Sequence, residues 1–376
     1  MNDCLSAPLD VFIAITNRCN LACEHCNVYA TRDSASDLTT DEWIKFIRRL
    51  AELKVFTLWI SGGEPFMRDD IFSIFHEIEK HHFHYGLNTN ATLIDEDTSE
   101  RISALRKLFN IVVSLDGATQ ETHDKLRGKG SFDRTIRGIE NLLKYNEQVS
   151  TYTTVTRYNY QDVENVTILG RKLGLESVKF NDLLPLGNAV CHLPDLTLSN
   201  SQRRAVTKEV ERLRNTYGNF VIGTILDMGQ FFKDFEELEK IGNRENPGCT
   251  NGLFGCGGGI QKCTVRPDGT VVPCDRLWGF HAGNIRETDF LDIWRSSPSF
   301  SEMRRRASIS LDDIEECSGC EYKLLCVGGC PAVSYELSGS VLTVDPMSCY
   351  RIYKGDGFPY HRSKMSQQTT GKTIRI

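Results

Sequence analysis

From residue 11 to about residue 187 the chain alternates between two hydrophobic patterns. Six short runs rich in β-branched and aromatic residues predict strands: Val11 to Thr16, Val55 to Ser61, Tyr85 to Asn90, Ile111 to Asp116, Thr151 to Thr156 and Val178 to Leu184. Between them apolar residues recur every three or four positions, as in Trp43, Phe46, Ile47, Leu50 and Leu53, which is the stripe of an amphipathic helix. That helix opens with Thr39-x2-Glu42, the spacing of a capping box. Repeated strand-helix units predict an α/β fold with a parallel sheet whose functional loops leave the C-terminal strand ends. Six units are too few to close an eight-stranded barrel. The expected architecture is a partial (β/α)6 TIM-like barrel, splayed open on one side.

The pattern changes after the sixth unit. A polar helix is predicted from Ser199 to Thr216, followed by a mixed stretch through Arg244. Glycine and cysteine become frequent from Pro247, and residues 249–353 hold nine cysteines with few long periodic runs. Such a segment is expected to be organised by metal rather than by a core of its own. The predicted boundaries are 1–218 for the barrel, 219–248 for a connecting region, 249–353 for a small C-terminal domain and 354–376 for a polar tail.

Composition narrows the choice of function. The 376 residues are 40% hydrophobic with a formal net charge of -6, and no basic run exceeds Arg304-Arg305-Arg306, so nucleic acid is not an expected partner. No segment reaches the roughly 20 apolar residues that span a bilayer, and Met1-Asn2-Asp3-Cys4 does not begin a signal peptide. A cytoplasmic protein without a membrane partner is expected. In that reducing compartment 14 cysteines in closely spaced groups suit metal ligation better than disulfides, and oxygen sensitivity follows.

The chemistry is carried by the strand-end loops. Cys19-x3-Cys23-x2-Cys26 follows the first run and offers three thiolates where a [4Fe-4S] cubane takes four, leaving one iron open to a small molecule. Gly62-Gly63-Glu64-Pro65 follows the second run, Asn88-Thr89-Asn90 the third and Ser114-Leu115-Asp116-Gly117 the fourth. A zinc site completed by His25 is the competing reading of the triad, although His25 directly precedes Cys26 and would leave the Gly-Gly-Glu-Pro unexplained. Triad and glycine motif together resemble the radical S-adenosylmethionine superfamily. The resemblance implies that the open iron chelates S-adenosylmethionine and that one electron cleaves it to a 5'-deoxyadenosyl radical. It further implies that Gly62, Gly63 and the Glu64 carboxylate meet the cofactor's ammonium group and that Asn90 contacts its ribose. Ser114 and an arginine, Arg127 with Arg134 as competitor, would hold its carboxylate. Loop packing or helix capping is the alternative role for each.

Cys256-x6-Cys263-x10-Cys274, with Gly269 ahead of Cys274, precedes Cys317-x2-Cys320-x5-Cys326-x3-Cys330 and then Cys349. This resembles the SPASM extension of that superfamily, which binds two auxiliary clusters. By resemblance the first would use Cys256, Cys263, Cys274 and Cys330, and the second Cys317, Cys320, Cys326 and Cys349, giving three [4Fe-4S] clusters in all. Cys249 lies seven residues before Cys256 as Cys263 lies seven after it, so either fits the first set. Asp275 resembles the aspartate of the Pro-Cys-Asp in anaerobic sulfatase-maturating enzymes, where it acts as a base; a turn former is the alternative. Those enzymes usually carry an aromatic residue after the triad, where this chain has Asn27.

The resemblance implies hydrogen abstraction from a residue of a ribosomally made peptide or protein, giving an oxidative modification or cross-link. A reducing partner such as flavodoxin or ferredoxin is expected. With only 18 residues before Cys19, a leader peptide would be recognised by the barrel, the C-terminal domain or a separate protein. A radical enzyme acting on a tetrapyrrole or other cofactor precursor, a sulfatase-maturase-like enzyme, and a non-catalytic electron carrier are the alternatives.

Overall fold

The computed structural model describes residues 5–28, 36–145, 148–224, 252–253, 256–320, 323 and 327–349. Strands β1 (Asp10–Ala14), β2 (Thr57–Ser61), β3 (His84–Thr89), β4 (Leu108–Ser114), β5 (Val149–Val155) and β6 (Ser177–Asp182) lie side by side in chain order, all parallel. All six expected strands are present. A seventh, β7 (Val221–Thr224), adds parallel to β6 in a stretch where four residues are too few to show a period.

The C-terminal segment does not stand apart from this sheet. Strand β8 (Lys262–Val265) pairs parallel with β1, and antiparallel β9 (Thr270–Val272) and β10 (Gly283–Asn284) continue outward. The result is one open ten-stranded sheet, β10-β9-β8-β1-β2-β3-β4-β5-β6-β7, ending at β7 and β10.

Crossover helices pack on one face: α1 (Thr40–Glu52), α2 (Ile71–Glu79), α3 (Glu96–Ser103), α4 (Gln120–Arg127), α5 (Ser131–Lys144) and α6 (Val163–Leu173), followed by α7 (Ala189–Leu196) and α8 (Asn200–Tyr217). The C-terminal part adds α9 (Phe290–Ser296), α10 (Pro298–Arg305) and α11 (Pro331–Ser338). Helix α1 starts as expected: the Thr39 side chain accepts from the Glu42 backbone N–H, and the Glu42 carboxylate accepts from the Thr39 N–H at 2.8 Å. Glu42 also receives Arg286 at 2.6 Å, and Arg49 donates to Asp289 at 2.8 Å, fastening the C-terminal part onto α1.

Strand alternation separates two faces. Val11, Ile13, Leu58, Ile60, Tyr85, Leu87, Ile111, Val113, Val178 and Phe180 join one buried core with helix residues such as Trp43, Phe46 and Phe75. The intervening Phe12, Trp59, Val112, Ser114, Tyr152 and Lys179 therefore face the concave interior. Trp59 stacks on Phe12 with ring centroids 6.0 Å apart and occupies space left by Gly86, where a Cβ would come within 2.4 Å of the indole. Aromatic rings fill this part of the interior, and the polar residues lie nearer the strand ends.

Candidate functional site

The triad loop leaves β1 and is held from both sides. The Gly63 N–H donates to Thr16 O and the Glu64 N–H to Arg18 O, each at 2.8 Å, so the glycine loop after β2 lies directly on the backbone entering the triad. Only glycine permits this approach: a Cβ on Gly63 would stand 2.1 Å from Arg18 O, and Gly62 has φ +138°.

Glu64 is fully buried and its contacts are internal. Its carboxylate accepts from Thr89 Oγ1 at 2.8 Å, the Asn90 N–H at 2.7 Å and the Phe66 N–H at 3.3 Å, tying the β2 loop to the end of β3. Burial pushes its carboxyl up to about 7, against the pull of these hydrogen bonds. Asn90, also buried, donates to Asn20 Oδ1 at 2.9 Å and accepts from the Thr92 N–H at 2.9 Å, so the third strand end grips the triad loop itself. Ser114 is half-buried at the interior end of β4, opposite Tyr152 on β5.

Between the two candidate arginines the structure separates clearly. Arg134 donates to Gly130 O on its own helix. Arg127, at the end of α4, is largely shielded, with Nε 2.5 Å from Asp116 Oδ2 and Nη1 3.8 Å from Cys23 Sγ. Asp116 also faces His25 Nε2 at 3.0 Å and accepts from the Thr154 N–H at 2.8 Å. Burial opposes its charge, yet Arg127 and His25 hold its carboxyl far below the usual carboxylate range. His123 Nδ1 accepts the Asp116 N–H, and burial followed by the charge of Arg127 depresses its pKa to about 4. Asp116 thus orients Arg127 beside the triad, a role the sequence signals only by its place in Ser114-Leu115-Asp116-Gly117.

Cys19, Cys23 and Cys26 lie within electrostatic reach of one another, and burial pushes the Cys19 thiol to about 11 and the Cys23 thiol to about 12, while Arg127 lowers both. Thiols so placed lose their protons when a metal centre binds. Among the described residues no three His, Cys, Asp or Glu side chains converge as a single metal ion requires. The thiols of a cubane sit instead at its separate corners.

A second set assembles in the C-terminal part. Cys256, Cys274 and Cys330 interact mutually, with Arg306 close to Cys256 and Cys330. Backbone N–H groups point at the sulfurs, Leu21 at Cys19, Gly258 at Cys256 and Arg276 at Cys274, a donor pattern that stabilises thiolates and fits iron-sulfur ligation.

Cys263 stands apart from this set. It lies on β8 with its side chain in the main core beside Val11 and Val265, fully buried. Burial alone pushes its thiol far above the usual cysteine range, with no other cysteine acting on it. A seven-residue spacing fits either neighbour of Cys256, but strand alternation turns Cys263 toward the helices. Its competitor Cys249 lies outside the described residues, as does Cys326 of the other set. Cys317 and Cys320 are buried and adjacent, with the Cys320 N–H donating to Cys317 O at 2.9 Å, and Cys349 ends the Pro346–Ser348 turn. Buried Asp345 links the sets: its carboxylate accepts from the Cys330 N–H at 3.2 Å, the Met347 N–H at 2.7 Å and Ser348 Oγ at 2.8 Å. Asp275 is half-buried between Cys274 and Arg276, and its carbonyl accepts from Trp278 Nε1.

The radical SAM superfamily model matches residues 13–168, and a model described as an iron-sulfur cluster-binding domain, SPASM, matches residues 256–321. An AdoMet-dependent heme synthase from Methanosarcina barkeri is 31% identical over 92% of this chain and 97% of its own. Mycofactocin maturase MftC from Mycolicibacterium smegmatis is 29% identical over 88% of this chain and 80% of its own. In structure, SuiB from Streptococcus suis, solved bound to the precursor peptide SuiA, superposes with a TM-score of 0.75 at 19% identity, covering 93% of this chain and 77% of that one.

Proposed function

The chain belongs to the radical SAM superfamily with a SPASM domain, and from that premise we propose that it modifies a residue of a peptide or protein by hydrogen abstraction, giving an oxidative change or cross-link. Membership brings a [4Fe-4S] cluster and S-adenosylmethionine, and the SPASM domain brings further clusters. When bound, these supply one-electron cleavage of the sulfonium and a hydrogen-abstracting radical.

The chain's own residues would do the rest. Cys19, Cys23 and Cys26 hold the first cluster; Gly62, Gly63 and the loop fixed by Glu64 and Asn90 shape the cofactor site; Ser114 and Arg127 face its carboxylate end. Cys256, Cys274 and Cys330 hold an auxiliary cluster, and Cys317, Cys320, Cys326 and Cys349 another. Asp275, next to Cys274, is the proposed base.

The observation that carries the peptide reading is the interior wall of β5 and β6. Ser150, Tyr152, Thr154, Lys179 and Asn181 face inward there, because their neighbours Val149, Val155, Val178 and Phe180 join the outer core. A polar wall offers partners to main-chain amides, whereas a flat macrocycle calls for apolar faces. The likeness to the mycofactocin maturase supports the same reading.

The likeness to the heme synthase, spanning 97% of that protein, supports a second reading in which a tetrapyrrole is the substrate. One experiment separates them. Candidate peptides and coproporphyrin III, each deuterated, are incubated with reconstituted protein, S-adenosylmethionine and dithionite. Deuterium in 5'-deoxyadenosine from a peptide, with the peptide two hydrogens lighter, supports the first reading; deuterium from the porphyrin alone replaces it with the second. Asp275→Asn is expected to keep iron and lose product, and loss of iron would make Asp275 a structural residue.

A further inference from the structure

A cavity of about 350 Å³ lies at the seam between the segment that follows β1 and the C-terminal part. Its lining includes Asn17 and Asp37 on one side and Arg266, Asp268, Trp278 and His281 on the other. Backbone contacts hold the two sides together. The Leu38 N–H donates to Pro267 O at 2.7 Å, and Arg286 donates to Ser36 O at 3.1 Å and to Asp37 O at 3.3 Å. The cavity is separate from the interior wall of β5 and β6 and adjoins both cysteine-bearing loops. Asn17 stands two residues ahead of Cys19, and Trp278 four residues after Cys274.

Charge in this cavity is not balanced. Arg266 is engaged on its own side: Nη1 donates to Trp278 O at 3.0 Å and lies 3.0 Å from His281 Nε2, and Nη2 is 3.4 Å from Asp268 Oδ2. Its guanidinium lies 5.1 Å from the centre of the Trp278 ring, and its Nε is left without a hydrogen-bond partner among the described residues. Asp37 has no such counterion. Its Oδ2 accepts from Thr16 Oγ1 at 2.6 Å and from the Asn17 N–H at 3.0 Å, whereas Oδ1 is shielded from solvent and has no hydrogen-bond partner among the described residues. Arg286, which reaches the Asp37 carbonyl, gives its charge to the Glu42 carboxylate at 2.6 Å. Two carboxylates therefore share one guanidinium, and one carboxylate oxygen lacks a donor.

We propose, resting on the peptide reading of the substrate, that this cavity binds a lysine or arginine side chain of the peptide, its ammonium or guanidinium donating to Asp37 Oδ1. A shielded carboxylate oxygen without a donor is unfavourable, and a cationic N–H group relieves it with a charge-assisted hydrogen bond. Asp268 adds a second negative charge, and the Trp278 indole offers an apolar surface to the methylene stem of a long basic side chain. A neutral amide donates more weakly to a carboxylate, and an acidic side chain is repelled. The site therefore selects peptides that carry a basic residue outside the position that reacts.

The test is equilibrium dialysis of anaerobically reconstituted protein against capped tripeptides, glycine-X-glycine, in which X is lysine, arginine, glutamine or side-chain-acetylated lysine, and against butylamine. Neither S-adenosylmethionine nor reductant is added, so a failure here leaves the deuterium-transfer result standing, and a failure of deuterium transfer leaves this binding measurable. The lysine and arginine peptides are expected to bind about tenfold more tightly than the two neutral ones, the ratio given by one charge-assisted hydrogen bond, and the preference is expected to shrink as salt is raised. Asp37→Asn is expected to abolish the preference, and Asp268→Asn to reduce it by a smaller factor. Asp292→Asn, at an exposed carboxylate on α9, controls for net charge and is expected to leave it unchanged. Iron is measured in each variant because Asp37 also braces Thr16 and Asn17; if Asp37→Asn loses iron, Asp268→Asn, which touches neither residue, decides. Equal binding of charged and neutral peptides, or an undiminished preference in Asp268→Asn, would overturn the proposal. Butylamine bound more tightly than the lysine peptide would overturn it by assigning the cavity to a free amine.

Discussion

Two buried groups beside the triad titrate in opposite senses, and each can be exposed by one substitution. His123 is held neutral, so the stability it contributes is complete above about 6.5 and is lost as pH falls toward about 4, because the unfolded chain takes up the proton first. Glu64 has a raised pKa, so its contribution is complete below about 4.5 and is lost as pH rises toward about 7. Between pH 5 and 6.5 the two slopes offset. Urea midpoints for the unsubstituted protein are therefore expected to change little across that window from these groups. Glu64→Gln should uncover the His123 slope, with stability falling by about 1–3 kcal/mol as pH drops from 7 to 5. A midpoint for Glu64→Gln that stays flat would show that His123 is not held neutral.

At the scale of elements, the site depends on loops that lie backbone to backbone. Gly63→Ala is expected to force the β2 loop off Arg18 O, weakening S-adenosylmethionine binding at least tenfold and lowering triad iron, measured by equilibrium dialysis and iron analysis. The capping box of α1 acts differently. Thr39→Ala removes one cap and should cost about 1 kcal/mol in urea unfolding without changing iron content, since Thr39 starts a helix on the outer face. A large loss of iron in Thr39→Ala would mean that the α1 contacts with Arg286 and Asp289 hold the C-terminal part in place.

For the whole molecule the distinguishing quantity is iron. Reconstituted protein with three [4Fe-4S] clusters would carry about 12 iron atoms. Cys274→Ala is expected to lose about four of them, whereas Cys263→Val should retain the full complement, because its side chain fills the core beneath the helices. The reverse outcome would restore Cys263 to the ligand set. Cys19→Ala, Cys23→Ala and Cys26→Ala combined should also remove about four and abolish dithionite-dependent cleavage of S-adenosylmethionine.

Sequence alone determined the features that depend on local order along the chain. Strand and helix periods placed β1 to β6, the capping box placed α1, and the spacing of Cys19, Cys23 and Cys26 with Gly62-Gly63-Glu64 located the site at the strand ends. These are short-range signals, set by backbone geometry and by how far a loop can reach. What required the tertiary structure was direction and partnership. Cys263 and Cys249 are equivalent by spacing, and only the alternation of β8 beside β1 turns Cys263 into the core. Arg127 and Arg134 are equivalent by composition, and only the packing of α4 against Asp116 brings one of them to Cys23. Asp345 carries no local pattern, since a carboxylate that joins two cysteine sets is defined by residues distant in sequence. Burial and charge pairing arise when separate segments meet, and one-dimensional periodicity does not encode which segments do.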